Sequence, residues 1–529
     1  MTELSTFEPG GESPRVVVPR NYNAAADFID RNLAAGRADK VAVIDDAGAT
    51  TYGELAARVN RAGNMLRDLG VRPEQRVMMA MLDTVDFIAV FFGAIRIGAV
   101  PVPVNTLLTT DDYRFMLTDS RAPVLVVSDA LLATFRPALA DAPLLRKVVV
   151  AGAAPEDGDF ASLAPLMAGA ATELAAFPTT ADDAAFWLYT SGSTGRPKGA
   201  VHSQADLVNT AALYGVGVLG IRADDVVFSA AKLFFAYGLG NGMSFPLYVG
   251  ATAVLMAERP TPQSVMQRLH DHGATIFYGV PTLYAAILAD DGLDRARGSD
   301  RLRICTSAGE ALPEDVARRW VARFGVDILD GIGSTEMLHI FLSNAPGDIR
   351  YGTTGKAVPG YRLKLVGEDG AEAAPGDIGE LWVSGPSAAT SYWNNRTKSL
   401  ESFHGPWTRT GDKYTRDGDG YYVYSGRSDD MLKVGGIWVS PFEVESALMT
   451  HDAVLEAAVV GHADKDELIK PKAFIVLKPG RQASDALAAE LKAFVKDHLA
   501  PYKYPRWIEF MADLPKTATG KTQRFKLRQ

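Results

Sequence analysis

Cysteine is almost absent. Cys305 is the single one in 529 residues, which excludes an internal disulfide and a cysteine-built metal cluster and fits a reducing compartment. Basic charge is also in short supply: 54 Lys and Arg against 63 Asp and Glu leave a net charge of −9, so the basic face of a nucleic-acid binder is not expected. No long apolar run survives inspection. The most apolar early stretch, Phe87 to Val104, is broken by Arg96, Gly98 and two prolines, so it reads as a buried helix followed by a strand, not a membrane span. The opening, Met1 to Gly10, lacks the basic-then-apolar pattern of a signal peptide. Neither a Gly-x-Ser-x-Gly elbow nor a His-Glu-x-x-His zinc pattern occurs. These absences predict a cytoplasmic protein with no membrane and no nucleic-acid partner.

What is present is ordinary for a globular chain: 47% hydrophobic and 22% charged residues. The length exceeds what one core organises, so several packed units are expected. The first third alternates strand and helix patterns. Val41 to Ile44 is a short apolar run, and Thr51 with Glu54 has the spacing of a capping box. The helix so opened carries Leu55, Val59, Met65 and Leu66 on one face and stops near Gly70. Candidate strands at 77–81, 100–104, 124–127, 226–229, 251–256, 275–278 and 303–307 continue the rhythm, which predicts parallel sheets covered by helices. After Thr353 the texture changes to short strands at 362–366, 379–383 and 420–424, separated by Gly, Asp and Pro turns. From Asp429 a small α+β unit follows, whose helix 486–499 places Leu487, Leu491, Phe494, Val495 and Leu499 together. The expected architecture is an α/β multi-domain chain. Its large N-terminal domain, 1–428, comprises two α/β subdomains and a β-barrel-like subdomain; a small α+β C-terminal domain, 429–529, completes it.

The strongest local signal is Tyr189-Thr190-Ser191-Gly192-Ser193-Thr194-Gly195-Arg196-Pro197-Lys198-Gly199. Its glycines let backbone approach an anion, its hydroxyls and amides donate, and Arg196 and Lys198 add positive charge. It is not a Walker A loop, because no Gly-Lys-Ser/Thr occurs there. The string resembles the phosphate-binding signature of the adenylate-forming superfamily, which includes acyl-CoA synthetases, peptide-synthetase adenylation domains and beetle luciferases.

Further strings resemble the other motifs of that superfamily, in family order, across residues 189–521. The resemblance implies that Thr190, Ser191, Gly192, Ser193, Thr194, Gly195 and Lys198 bind ATP phosphates. In Asp330-Gly331-Ile332-Gly333-Ser334-Thr335-Glu336, Asp330 would join the nucleotide site, Thr335 would bond the α-phosphate and Glu336 would hold magnesium. Asp412, in Trp407 to Asp412, would accept from the ribose hydroxyls, and Arg427 would contact ribose and phosphates. Asp429 would be the hinge of a mobile C-terminal domain. Lys521, in Pro515 to Lys521, would neutralise charge on the transferring α-phosphate. After rotation about Asp429, Gly436 and Lys433 would line the path of coenzyme A. The implied reaction joins a carboxylate to AMP and then passes the acyl group to a thiol.

For the acid, Phe235 to Asn241 together with Met337-Leu338-His339-Ile340 resembles the benzoate–coenzyme A ligases. By that similarity Ala236, Tyr237, Gly333, His339 and Ile340 would wall an aryl pocket. Amino-acid-activating relatives place an aspartate where Ala236 stands, and with alanine there a substrate ammonium would be buried poorly paired. Past Lys521 the sequence runs only to Gln529, so coenzyme A, not a fused carrier domain, is the expected acceptor. Loading of a free-standing carrier protein stays open, as do a hydroxycinnamate, a substituted benzoate or a short fatty acid as substrate, and a homodimer as the assembly.

Overall fold

A computed structural model describes residues 3–10, 14–156, 160–192, 195–428, 430–434, 437–464, 468–516 and 522–528. Two parallel sheets build the first two-thirds. The smaller runs Val100–Pro103, Arg76–Ala80, Val124–Ser128, Lys147–Ala151 and Phe160–Ser162 in that spatial order, parallel throughout. The larger has nine strands. Its parallel centre, from Val41–Asp45 through Thr252–Val254, Val226–Ser229, Ile276–Gly279 and Ile304–Ser307 to Ile328–Gly333, is flanked by antiparallel strands at both ends. Their apolar runs are buried on both faces, as crossover connections require. Cys305 lies inside this sheet, fully buried.

The helix predicted after Thr51 spans Tyr52–Asp68, and its capping box is present in both directions. It crosses the helix Val85–Arg96, which is apolar on nearly every side and buried accordingly. The crossing is close because two glycines meet there. A Cβ on Gly93 would fall 2.8 Å from the Gly63 nitrogen and 2.9 Å from the Val59 carbonyl, nearer than a methyl group tolerates.

An antiparallel sheet follows. Arg362–Val366 pairs with Gly379–Ser384, which pairs with the long strand Trp407–Arg416; that strand also carries Phe403–His404 and Tyr422–Arg427. The separate C-terminal domain has its own three-stranded sheet, Val454–Ala463, Ile469–Leu477 and Trp507–Met511, under helices Pro441–Met449 and Asp485–His498. Leu491 and Val495 enter its core as the pattern requires, whereas Phe494 leans aside between His451 and His498.

Two features had no sequence signal. Ala211–Val216 and Gly240–Ser244 are π-helical turns, a geometry that widens a helix locally and recurs beside functional sites. Several strand ends also fall one to three residues from the expected ones, inside the apolar run at Thr252–Val254 and beyond it at Tyr422–Arg427.

Gly93→Ala should lower stability by about 1–3 kcal/mol through overpacking at the helix crossing, read as a lower urea midpoint than that of the unsubstituted chain. An unchanged midpoint would mean the helices can part without cost.

Candidate active site

The phosphate-loop string forms a hairpin, not a free loop. Strands Ala184–Gly192 and Gly195–Ser203 pair antiparallel, with Thr190 opposite Lys198. Aromatic rings brace its base: Trp187 and Trp393 lie 4.4 Å apart, centroid to centroid, and the Tyr189 hydroxyl donates to Asp119 Oδ2 at 2.7 Å. Ser193 and Thr194 lie outside the described residues, as does the side chain of Ser191, while Gly192 and Gly195 end the two strands.

Beside the hairpin opens a cleft of about 1850 Å³. Thr190, Lys198, Asp330, Thr335 and Glu336 line one part of it, and Asp412 and Arg427 another. The last two are fifteen residues apart in the chain but directly opposed on neighbouring strands, and Arg427 Nη1 donates to Asp412 Oδ1 at 3.2 Å. Burial draws the Lys198 ammonium below its usual range, with Glu336 acting against that shift.

Thr335 and Glu336 sit in a 3₁₀ turn, 335–337, that follows the strand Ile328–Gly333. Remote groups hold the turn. His202 Nε2 donates to the Thr335 carbonyl at 2.8 Å, while its Nδ1 meets Asp206 Oδ2 at 2.8 Å. The Ala389 amide donates to the Glu336 carbonyl at 2.7 Å, and Ser387 Oγ to that of Met337 at 2.7 Å. Tyr392 donates its hydroxyl to Glu336 Oε1 at 2.6 Å. Among the described residues nothing donates to Glu336 Oε2, and no group of three or more His, Cys, Asp or Glu side chains is placed to hold a metal. One carboxylate with a spare oxygen, facing a nucleotide-sized cleft, fits magnesium, which keeps several waters and shares phosphate oxygens. Neither His202 nor Tyr392 belongs to the sequence-predicted set. The His202–Asp206 spacing of four residues was visible; Tyr392 carried no local signal.

Asp330 contributes a buried Oδ1 that has no hydrogen-bond partner in the structure. Burial raises its carboxyl well above the usual range, although the Leu312 amide and the Thr354 hydroxyl work the other way.

Of the residues expected to wall the acid pocket, only Gly333 reaches the cleft wall. A Cβ on Gly333 would come 2.5 Å from the His339 carbonyl, and Gly333 pairs with Ile340 across the ladder. Ala236 opens the short helix Ala236–Leu239. Tyr237 pairs its hydroxyl with Thr306 Oγ1 at 2.6 Å. His339 is 2% exposed, with its ring 4.5 Å from Phe245, 5.4 Å from Tyr214 and 5.6 Å from Tyr237, centroid to centroid. Its Nε2 faces the Asn241 carboxamide oxygen at 3.1 Å and the Tyr237 carbonyl at 3.3 Å. Both are acceptors, so Nε2 carries the proton, and burial holds the imidazole pKa down to about 3. A neutral ring cannot offer charge to a carboxylate; here it packs among aromatic rings. The Gly238-Leu239-Gly240 string serves the same packing, since a Cβ on Gly240 would meet the His339 ring at 2.4 Å.

Asp429, Gly436 and Lys521 lie outside the described residues, as does the side chain of Lys433. Just past Lys521, Arg524 forks onto the buried Glu445 carboxylate, with Nη2–Oε2 at 2.7 Å, which ties that end of the chain to the C-terminal core.

Folded His339 stays neutral down to about pH 3, whereas an unfolded histidine protonates near 6.5. Its contribution to stability is therefore full above pH 6.5 and is lost as pH falls from there towards 3, at roughly 1 to 2 kcal/mol per pH unit. Urea midpoints at about pH 7 and pH 5 should fall further for the unsubstituted chain than for His339→Asn; equal drops would mean that the ring protonates in place.

Family models give an independent reading. The model for the AMP-binding enzyme matches residues 30–393, and that for the AMP-binding enzyme C-terminal domain matches 443–521. A benzoate–CoA ligase of Thauera aromatica is 63% identical over 530 residues, covering 100% of each chain. A 4-hydroxybenzoate–CoA/benzoate–CoA ligase of Rhodopseudomonas palustris is 53% identical over 96% of this chain and 94% of its own. Among solved structures, a benzoate CoA ligase from Burkholderia xenovorans LB400 superposes with a TM-score of 0.89 at 54% identity, covering 96% of this chain and all of that one. With both family models matched in order and the phosphate hairpin, the Thr335–Glu336 turn and the Asp412–Arg427 pair assembled on one cleft, the chain belongs to the AMP-binding enzymes.

Proposed function

We propose that this protein is an AMP-forming acid–thiol ligase that activates benzoate as benzoyl-adenylate with ATP and transfers the benzoyl group to coenzyme A, releasing AMP and pyrophosphate. The observation that carries the choice of acid is the neutrality of the pocket behind Gly333. Tyr237 has its hydroxyl engaged by Thr306, His339 is uncharged and wedged among aromatic rings, and Ala236 leaves no carboxylate for an ammonium. Such a wall favours an unsubstituted aromatic ring over an amino acid. The relatives from Thauera, Rhodopseudomonas and Burkholderia carry benzoate in their names, which supports the same choice.

On this reading Asp412 accepts from the ribose hydroxyls, Arg427 reaches ribose and phosphate, and the hairpin 190–198 grips the phosphates. Lys198, made easier to deprotonate by burial yet drawn towards Glu336, serves as a phosphate contact. The unpartnered Oδ1 of Asp330 supplies an acceptor on the nucleotide wall. Glu336 would hold magnesium through its spare oxygen, and the ion would supply charge neutralisation for the phosphates. Little covalent chemistry falls to the protein, whose task is to align the carboxylate with the α-phosphorus and stabilise charge there. Lys521 provides that charge in the first step. We assign residues 1–428 to the ATP- and acid-binding domain and 429–529 to a domain that turns about Asp429, exchanging Lys521 for the coenzyme A path along Lys433 and Gly436. The enzyme works in the cytoplasm, where its two nucleotide substrates are abundant. Among the described residues no helix is long and apolar enough to cross a membrane.

Benzoate, magnesium ATP and coenzyme A should yield benzoyl-CoA by mass spectrometry, with AMP release dependent on the thiol. Benzoate-dependent pyrophosphate exchange without a thioester would instead point to a carrier protein as acceptor; no exchange at all would reject benzoate. Lys521→Ala should slow adenylate formation by about 100-fold or more while largely sparing thioester formation from supplied benzoyl-adenylate. Equal losses in the two half-reactions would remove Lys521 from its assigned step.

A further inference from the structure

Tyr392 touches both charged groups on the cleft wall. Its hydroxyl donates to Glu336 Oε1 at 2.6 Å, and its ring carries the Lys198 ammonium 4.5 Å from the centroid, within reach of a cation–π attraction. Its backbone is fastened on two sides. Tyr392 stands opposite Ala200 on the hairpin strand Gly195–Ser203, and its amide donates to Ser399 Oγ at 3.0 Å. The residue is 4% exposed, so the ring has little room to swing.

Opposite charges on one wall of a half-buried cleft attract strongly. A direct bond between Lys198 and Glu336 would use up both groups before a nucleotide arrived. Among the described residues these two form no ion pair. The lysine rests on the ring face of Tyr392, and the carboxylate takes its hydroxyl. One side chain thus keeps the cation and the anion apart while holding each.

We propose that Tyr392 is a positioning residue for the divalent-cation site: by occupying Oε1 its hydroxyl reserves Oε2 of Glu336 for the ion, and its ring holds Lys198 apart for a phosphate oxygen. This rests on the assignment of Glu336 as the protein's ligand to the ion. A carboxylate ligand that loses the hydrogen bond orienting it binds its metal about 10-fold or more weakly. Removing the hydroxyl alone leaves the ring, and with it the platform for Lys198.

The test uses the full chain and Mn²⁺ as a paramagnetic stand-in for magnesium, its affinity read by electron paramagnetic resonance with α,β-methylene-ATP present. Tyr392→Phe should weaken Mn²⁺ binding by about 10-fold or more, and Glu336→Gln by at least as much. AMP binding in EDTA should hold steady in Tyr392→Phe, because no cation is involved. If Tyr392→Phe binds Mn²⁺ as the unsubstituted protein does while Glu336→Gln does not, the positioning role is overturned and the Glu336 assignment stands. If both variants bind it normally, Glu336 is not the ligand and both statements fall. An equal loss of AMP affinity in Tyr392→Phe would show general damage to the site and would also overturn the role.

Discussion

The short turn 335–337 meets only two of its three carbonyls from neighbouring amides, Leu338 to Thr335 and His339 to Met337, and a buried carbonyl left without a donor is costly. This constraint organises the site. The carbonyls of Thr335, Glu336 and Met337 are each met by a donor from elsewhere: His202 at the end of the phosphate hairpin, the Ala389 amide, and Ser387. The last two lie in the segment that leads from the antiparallel sheet back to the hairpin. Meeting three backbone acceptors therefore fixes the hairpin, the edge of the nine-stranded sheet and the segment 386–393 against one another. The cleft wall is a product of that arrangement, its side chains held by contacts within the protein.

The strand Ile328–Gly333 separates two chemical environments. On the cleft side stand the groups suited to charge: Lys198, Glu336, Asp412 and Arg427. Behind Gly333 the environment is aromatic and uncharged, with His339 kept neutral by its own burial. Gly333 is where the two meet, and the lack of a side chain there is enforced by the His339 carbonyl. An acid with an apolar body and an ionised head suits such a boundary, its ring on one side and its carboxylate towards the phosphates.

Much of this was legible in the sequence, for identifiable reasons. The capping box at Thr51 and Glu54 and the apolar runs of the parallel strands are local signals, and local signals survive folding. Motif strings singled out residues that share one cleft, Thr190, Lys198, Thr335, Glu336, Asp412 and Arg427, because each motif is contiguous. What stayed hidden depends on distant partners. Tyr392 meets Glu336 across fifty-six residues of chain, and no pattern around Tyr392 announces it. The π-helical turns at 211–216 and 240–244 both touch His339, through Tyr214 and Asn241, a long-range contact that no local pattern announces. Gly238 and Gly240 could be seen, but their purpose, room for the Lys232 carbonyl and for the His339 ring, is tertiary.

The one cysteine acquires a meaning from where it is placed. An acyl-adenylate is an electrophile that any accessible thiolate can intercept, and the enzyme must hold it long enough for coenzyme A to arrive. Cys305 is sealed within the nine-stranded sheet, and burial pushes its thiol far up from the ordinary range, which leaves it protonated and inert. The catalyst thus handles an activated acyl group while presenting no nucleophilic sulfur of its own, and self-acylation at cysteine is closed off by architecture.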